Sequence, residues 1–271
     1  MKITELPHTC DQYFLDGSFV SMNNYVVIND RMEVFRNGKV ITLQEPILTK
    51  WLRVRVLSPN RFLVVADHFE TGEENPNGWI INNEGLIEKA IYLDDVYCVF
   101  STEKYIITSS NESVYPNRIA VFDWNGKEVF IYDNEAQEKT NSPGFWENYA
   151  FLGKDERSIY FMPYTDFPLI EFNLIDFSAK VVATVPSEKE LGNDSFWNPK
   201  AFTKKGEDWY FITPDYDHFC SRVFRMNPAK EIEEIGQCCF SILPKGLPGG
   251  KFFVPYSGNN PNNNTCQIVE I

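Results

Sequence analysis

The chain has 271 residues, 43% of them hydrophobic and 15% aromatic, which is ample apolar surface for a packed core and unlike a disordered tail. Its 25 Lys and Arg stand against 38 Asp and Glu, a formal net charge of −13 spread along the chain. That balance argues against a phosphate-binding surface, so no nucleic-acid partner is expected.

No window approaches the roughly 18 consecutive apolar residues of a membrane-crossing helix, and residues 1–7 lack the apolar core of a secretion signal. The expectation is a soluble, cytoplasmic protein with no membrane partner. Cys10, Cys98, Cys220, Cys238, Cys239 and Cys266 show no Cys-x-x-Cys spacing and read as reduced packing residues. The adjacent Cys238 and Cys239 would make a strained disulfide, and buried thiols are the plainer reading.

In chain order, residues 3–6 form a short strand with no partner close in sequence. A run of β-formers at 25–28 then leads to the hairpin Val34-Phe35-Arg36-Asn37-Gly38-Lys39-Val40-Ile41. The same pair of elements returns as the run 62–66 with the hairpin of residues 79–87, and as the run 105–108 with Val121-Phe122-Asp123-Trp124-Asn125-Gly126-Lys127-Glu128-Val129. Two weaker copies follow, 159–162 with residues 172–181 and 209–212 with residues 224–232. Asn-Gly accepts positive φ cheaply and so favours tight hairpin turns. In the weaker copies Ala179 and Ala229 are taken to stand where Gly38, Gly85 and Gly126 stood, with a longer or different turn. The repeat returns every 40–50 residues or so, the size of a propeller blade. Each unit reads as inner strand, middle strand and outer hairpin.

The last unit offers three strands, at residues 240–243, 251–255 and 267–271, and lacks a fourth. Residues 3–6 are the spare strand that completes it, protecting edges that would otherwise stay open. The expected fold is therefore an all-β, six-bladed β-propeller of four-stranded antiparallel blades, closed by the N-terminal strand, in one domain spanning 1–271.

The run Ile119-Ala120-Val121-Phe122-Asp123-Trp124-Asn125-Gly126-Lys127-Glu128-Val129 resembles the outer hairpin of bacterial six-bladed propellers of the TolB-like and NHL-like kinds. This resemblance implies a central channel and loop-built faces, with the usual binding face made by the loops from second to third strands and those between blades. It transfers no active site.

On those loops lie Asp67, His68, Tyr115, Tyr164, Asp166, Asp215, Asp217 and His218, with Trp146 and Trp197 between blades, an acidic and aromatic rim. Asp67, His68, Asp166, Asp217 and His218 recur at one place in their blades and are the candidate ligands for a divalent metal: Zn²⁺ or Mn²⁺ with mixed donors, Ca²⁺ with oxygens. The plainer reading is an Asp that caps its turn and a Phe that packs between blades, with no cofactor. Trp146 and Trp197 are candidates for stacking on a sugar or anchoring a protein, against the same core alternative. No Gly-x-Ser-x-Gly elbow or sialidase-type box is present, and His8, His68 and His218 are the only histidines, so acid–base chemistry has few candidates.

The leading expectation is a non-catalytic, monomeric binding propeller whose acidic face takes a protein partner, a basic one such as a cationic enzyme or toxin held by an immunity-like protein. The alternatives are a metal-assisted hydrolase or lyase, or a carbohydrate-binding propeller, with the site at the channel mouth.

Overall fold

The computed structural model describes residues 1–6, 14–29, 31–47, 52–66, 75–94, 96–110, 118–133, 148–163, 168–186, 199–241, 243–255 and 266–271. Among the described residues all regular structure is β, in six four-stranded antiparallel sheets. No helix there is long and apolar enough to cross a membrane. The chain divides into two compact units, residues 7–136 and residues 1–6 with 137–271. Each unit contains three sheets.

The first strand, β1 (Lys2–Glu5), belongs to the second unit. The first unit runs β2 (Phe14–Ser21), β3 (Asn24–Asn29), β4 (Val34–Arg36), β5 (Lys39–Ile41), then β6 (Arg53–Ser58), β7 (Arg61–Val65), β8 (Gly78–Asn82), β9 (Ile87–Ile91), then β10 (Cys98–Ser101), β11 (Tyr105–Ser109), β12 (Ile119–Asp123), β13 (Glu128–Tyr132). The second runs β14 (Asn148–Asp155), β15 (Ser158–Pro163), β16 (Pro168–Asn173), β17 (Ala179–Thr184), then β18 (Ala201–Lys205), β19 (Asp208–Asp215), β20 (Cys220–Met226), β21 (Ile232–Cys239), and finally β22 (Lys245–Leu247), β23 (Lys251–Pro255), β24 (Cys266–Glu270). Every sheet is an up-and-down meander in chain order, except that β1 supplies the fourth strand of the last. It pairs antiparallel with β24, from Lys2 opposite Glu270 to Glu5 opposite Gln267. The expected N-terminal completion of the last sheet is therefore present.

Burial explains why the second strands read most clearly. β3, β7, β11, β15, β19 and β23 are almost continuously buried, so apolar residues predominate on both of their faces. Val26, Ile28 and Val34 pack against Val54, Phe62 and Val64; Leu63, Val65 and Ile80 pack against Val99, Ile106 and Phe122. In the second unit Tyr160, Met162 and Leu169 meet Trp209, Phe211 and Phe224, and Ile212 and Val223 meet Phe252, Val254 and Val269. Outer strands such as β9, β13 and β17 are largely exposed. In four sheets the ladder between third and fourth strands slips at a bulge, which twists the open edge and blunts it as a template for stray pairing.

The third-to-fourth turns share a device that only partly matches the expected glycine marker. Asn82, Asp123, Asn173 and Asn227 each turn a side-chain oxygen back onto amides of their own turn, at 2.7–3.0 Å. The left-handed position behind that residue is Gly85 and Gly126 in two sheets but Phe177 and Lys230 in the others, with φ of 57° and 64°. Ala179 and Ala229 are thus not the glycine equivalents. The turn after Asn173 is one residue longer, closed by the Asn173 amide donating to the Ser178 carbonyl, whereas the turn after Asn227 keeps the ordinary length.

A second correction concerns the last sheet, whose first strand is β22 and not residues 240–243. The Ser241 amide donates to Ser221 Oγ at 3.0 Å and the Leu243 amide to Ser241 Oγ at 3.3 Å, so hydroxyls replace ladder partners there. β22 itself lies hard against β18: a Cβ on Gly246 would stand 1.8 Å from the Phe202 carbonyl oxygen.

In the first unit the first strands are joined through a buried ion pair. Asp16 on β2 accepts from Arg55 Nη1 on β6 at 2.5 Å and from the Val54 amide at 3.0 Å, while Arg55 Nε donates to the Val99 carbonyl on β10 at 2.6 Å. The Asp16 and Arg55 side chains are 0% and 6% exposed. A different arginine, Arg36, stands opposite Val26, the third residue of its second strand, where the matching places of other sheets hold Ile80, Val121, Glu171 and Arg225. Its Nη2 donates to Asn24 Oδ1, the Ser58 carbonyl and the Pro59 carbonyl, while its buried Nε and Nη1 have no partner among the described residues.

Candidate functional site

Loops joining second to third strands carry most of the candidates. Asp67, His68, Tyr115, Tyr164 and Asp166 lie outside the described residues, as do Trp146 and Trp197 on the loops between sheets. The β19–β20 turn, Asp215-Tyr216-Asp217-His218-Phe219, is described throughout and brings Asp215, Asp217 and His218 together.

Asp215 ends β19 and organises the turn. Its Oδ1 accepts the amides of Asp217 and His218, both at 3.1 Å, and its Oδ2 lies 2.9 Å from His218 Nδ1. The hydrogen bond from the His218 side chain, with those two amides, holds the Asp215 carboxyl below the usual carboxylate range. Asp215 is thus a turn cap whose carboxylate is 17% exposed, while the His218 ring is 78% exposed. Among the described residues no three His, Cys, Asp or Glu side chains gather as a metal site.

The feature that sequence reading passed over is aromatic. Tyr216 and Phe219 are 60% and 61% exposed, although a Phe at this place in the repeat was expected to be core. Both rings stand edge to face with the buried Phe240, at centroid distances of 5.3 and 5.9 Å. Phe219 adopts φ of 50°, a left-handed conformation that bulky side chains rarely take. The signal available in sequence was an aromatic on each side of an Asp-His pair, with no Gly or Asn to take the left-handed position.

Below the turn the chemistry is unreactive. Burial raises the thiol of Cys220, pushes Cys239 up to about 12 and raises Cys238 further still. Cys98, Cys220, Cys238, Cys239 and Cys266 are thiols, with no disulfide among them. Arg222 pairs with Glu234 and lies 5.2 Å from the ring centroid of the buried Phe224.

No protein-family model matches the sequence, and no curated protein matches it significantly. Solved structures do resemble it. The WD40 repeats of RRP9 superpose with a TM-score of 0.59 at 7% identity, over 99% of this chain and 97% of that one. A protein of unknown function from Bacteroides thetaiotaomicron VPI-5482 gives 0.56 at 10% identity, over 98% of this chain and 74% of its own. Streptogramin B lyase gives 0.54 at 10% identity, over 98% and 94%. At such identities the likeness speaks for fold alone: six four-stranded blades of the β-propeller kind, in which the β19–β20 turn is a loop from second to third strand.

Proposed function

We propose that the chain is a non-catalytic, cytoplasmic protein-binding propeller, a monomer that holds a basic partner against its acidic, aromatic loops in the manner of an immunity protein. The observation that carries this is the β19–β20 turn, where two exposed rings stand on a rigid, carboxylate-bearing hairpin. Exposed aromatics on a preorganised turn have the makings of an interface anchor, because little side-chain freedom is left to lose on binding. The net charge of −13 favours encounter with a cationic surface. Likeness to WD40 propellers fits a scaffold for protein interaction, and the TolB-like or NHL-like ancestry inferred from residues 119–129 is part of this proposal.

The test is capture on the immobilised protein at low and at high salt, with Tyr216→Ala and Phe219→Ala beside it. A stoichiometric basic protein, released by salt and lost in both variants, is the expected result. Capture of nothing, or equal capture by both variants, removes the reading.

One observation favours the second reading, a hydrolase or lyase. His218 Nδ1 is held by a carboxylate at 2.9 Å, the arrangement that orients a general base, and streptogramin B lyase shares the fold. The divalent metal and the carbohydrate site at Trp146 and Trp197 belong to this alternative. Metal analysis of the purified protein, and a His218→Ala variant assayed on streptogramin B and on sugar substrates, decide it.

A further inference from the structure

We propose that Tyr216, Phe219 and Phe240 form an aromatic site for an alkylammonium or guanidinium group, on a turn that also carries the carboxylate of Asp217. The site deepens the protein-binding reading and rests on it: its occupant is a Lys, an N-methylated Lys or an Arg side chain of the basic partner. Three observations single out this turn among the described residues.

First, the rings are held in place. Asp215 accepts three hydrogen bonds from within the turn, and both exposed rings rest on the same buried Phe240 at fixed edge-to-face angles of 72° and 61°. Second, the arrangement is costly as a turn. Gly or Asn would take the left-handed position after His218 without strain, yet Phe219 occupies it and leaves 61% of its surface in solvent. Phe177 takes a similar φ of 57° in another turn but is half-buried, so it is the combination with an exposed ring that sets Phe219 apart. Third, the electrostatics select a cation. The negative π faces attract an ammonium or guanidinium within about 6 Å of a ring centroid, and neighbouring carboxylates add to the attraction. Asp215 stays ionised because its carboxyl is held below the usual range, and Asp217 lies two residues on. The same sheet already uses this contact twice, with Lys204 4.9 Å from the Trp209 centroid and Arg222 5.2 Å from that of Phe224. An anion would meet carboxylates and ring faces of its own sign.

The experiment titrates the full chain with tetramethylammonium, with argininamide and with tert-butanol, an uncharged alcohol of the same heavy-atom shape as tetramethylammonium, while following the ring resonances of Tyr216 and Phe219 at constant ionic strength. Both cations are expected to shift these signals saturably, at least about tenfold more tightly than the alcohol. Phe219→Leu and Tyr216→Leu, each checked for an unchanged far-ultraviolet circular dichroism spectrum, are expected to abolish the shifts, and Asp217→Asn to weaken them several-fold. Equal binding of the alcohol, shifts that persist in both ring variants, or no saturation by either cation overturns the site. The two readings fail separately. Loss of a basic partner from Phe219→Leu with no cation binding leaves protein binding standing and removes the aromatic site; cation binding with no partner captured does the reverse.

Discussion

Replacing Asp16 with asparagine exchanges one carboxylate oxygen for an amide nitrogen and removes the charge that balances Arg55. The arginine is 6% exposed and its other hydrogen bonds are to neutral carbonyls, among them those of Val54 and Val99, so among the described residues no second carboxylate is in place to take over. Arg55 Nη1 and the Val54 amide both donate to the same oxygen, Oδ2, so an asparagine carbonyl oxygen in that place keeps both hydrogen bonds and what is lost is the charge. Breaking one side of a buried pair strands a desolvated charge and costs about 3–5 kcal/mol, a large share of the roughly 5–15 kcal/mol that holds a typical domain. Urea unfolding followed by tryptophan fluorescence and by circular dichroism measures it, with the midpoint falling at unchanged slope. Arg55→Met alone is expected to cost a similar amount by taking the guanidinium away from the buried Asp16 carboxylate and this donor away from the Val99 carbonyl. The double variant is expected to recover at least about 2 kcal/mol of the two losses taken together, since neighbours in one network are coupled. A loss under about 1 kcal/mol for Asp16→Asn, or strictly additive effects, would refute the view that this pair joins the first strands.

Arg36→Met is the contrasting case. Two of its buried nitrogens lack partners among the described residues and burial lowers its pKa, so the variant, which removes the charge and keeps a long flexible side chain, should be within about 1 kcal/mol of wild type or more stable; a loss above about 3 kcal/mol contradicts this. Gly246→Ala drives a Cβ to 1.8 Å from the Phe202 carbonyl oxygen and should cost about 1–3 kcal/mol in the same assay, while Gly206→Ala, with nothing within 4 Å, should show only a left-handed penalty of about 1 kcal/mol. Iodoacetamide at pH 8 should leave Cys238 and Cys239 unmodified in the native protein and label them after unfolding, because a thiol pushed up to about 12 is only about one part in 10⁴ thiolate there. For Asp215 the folded pKa is depressed, so its support of the turn is complete above the ordinary Asp value near 3.9 and is lost as pH falls through the lower folded one. Carboxyl-carbon chemical shifts read by NMR between pH 7 and 2 should show Asp215 titrating below that value, and a midpoint at or above it is the contrary result.

What could be read from residues alone is whatever depends on local pattern. Runs such as Phe62 to Val65 and Ile159 to Met162 are apolar at every position because their strands are buried on both faces, and that leaves a continuous signature. Asn37-Gly38 and Asn125-Gly126 mark turns because positive φ is cheap for them, and the spare strand at the N-terminus could be matched to a last unit short of one. Lys230 and Phe177 escaped, since a turn can impose a left-handed conformation on a residue that does not favour it when the ladder on either side is already paired. The strand start at Lys245 was displaced for a similar reason: Ser221 and Ser241 hydroxyls captured the amides that an apolar run at 240–243 would otherwise have placed in a ladder.

The candidate site divides along the same line. Asp215, Asp217 and His218 could be placed on a loop from second to third strand because their position in the repeat is a matter of counting. That Phe219 faces solvent while Phe211 and Phe224 are buried is invisible in composition, as all three are the same residue flanking the same turn. The difference comes from a backbone held at φ of 50° and from Phe240, more than twenty residues away, filling the space beneath both rings. Periodicity determined which segments become strands and in what order they pair. Only tertiary packing decided which of several chemically identical side chains was left outside the core, because exclusion from a core depends on what already occupies it.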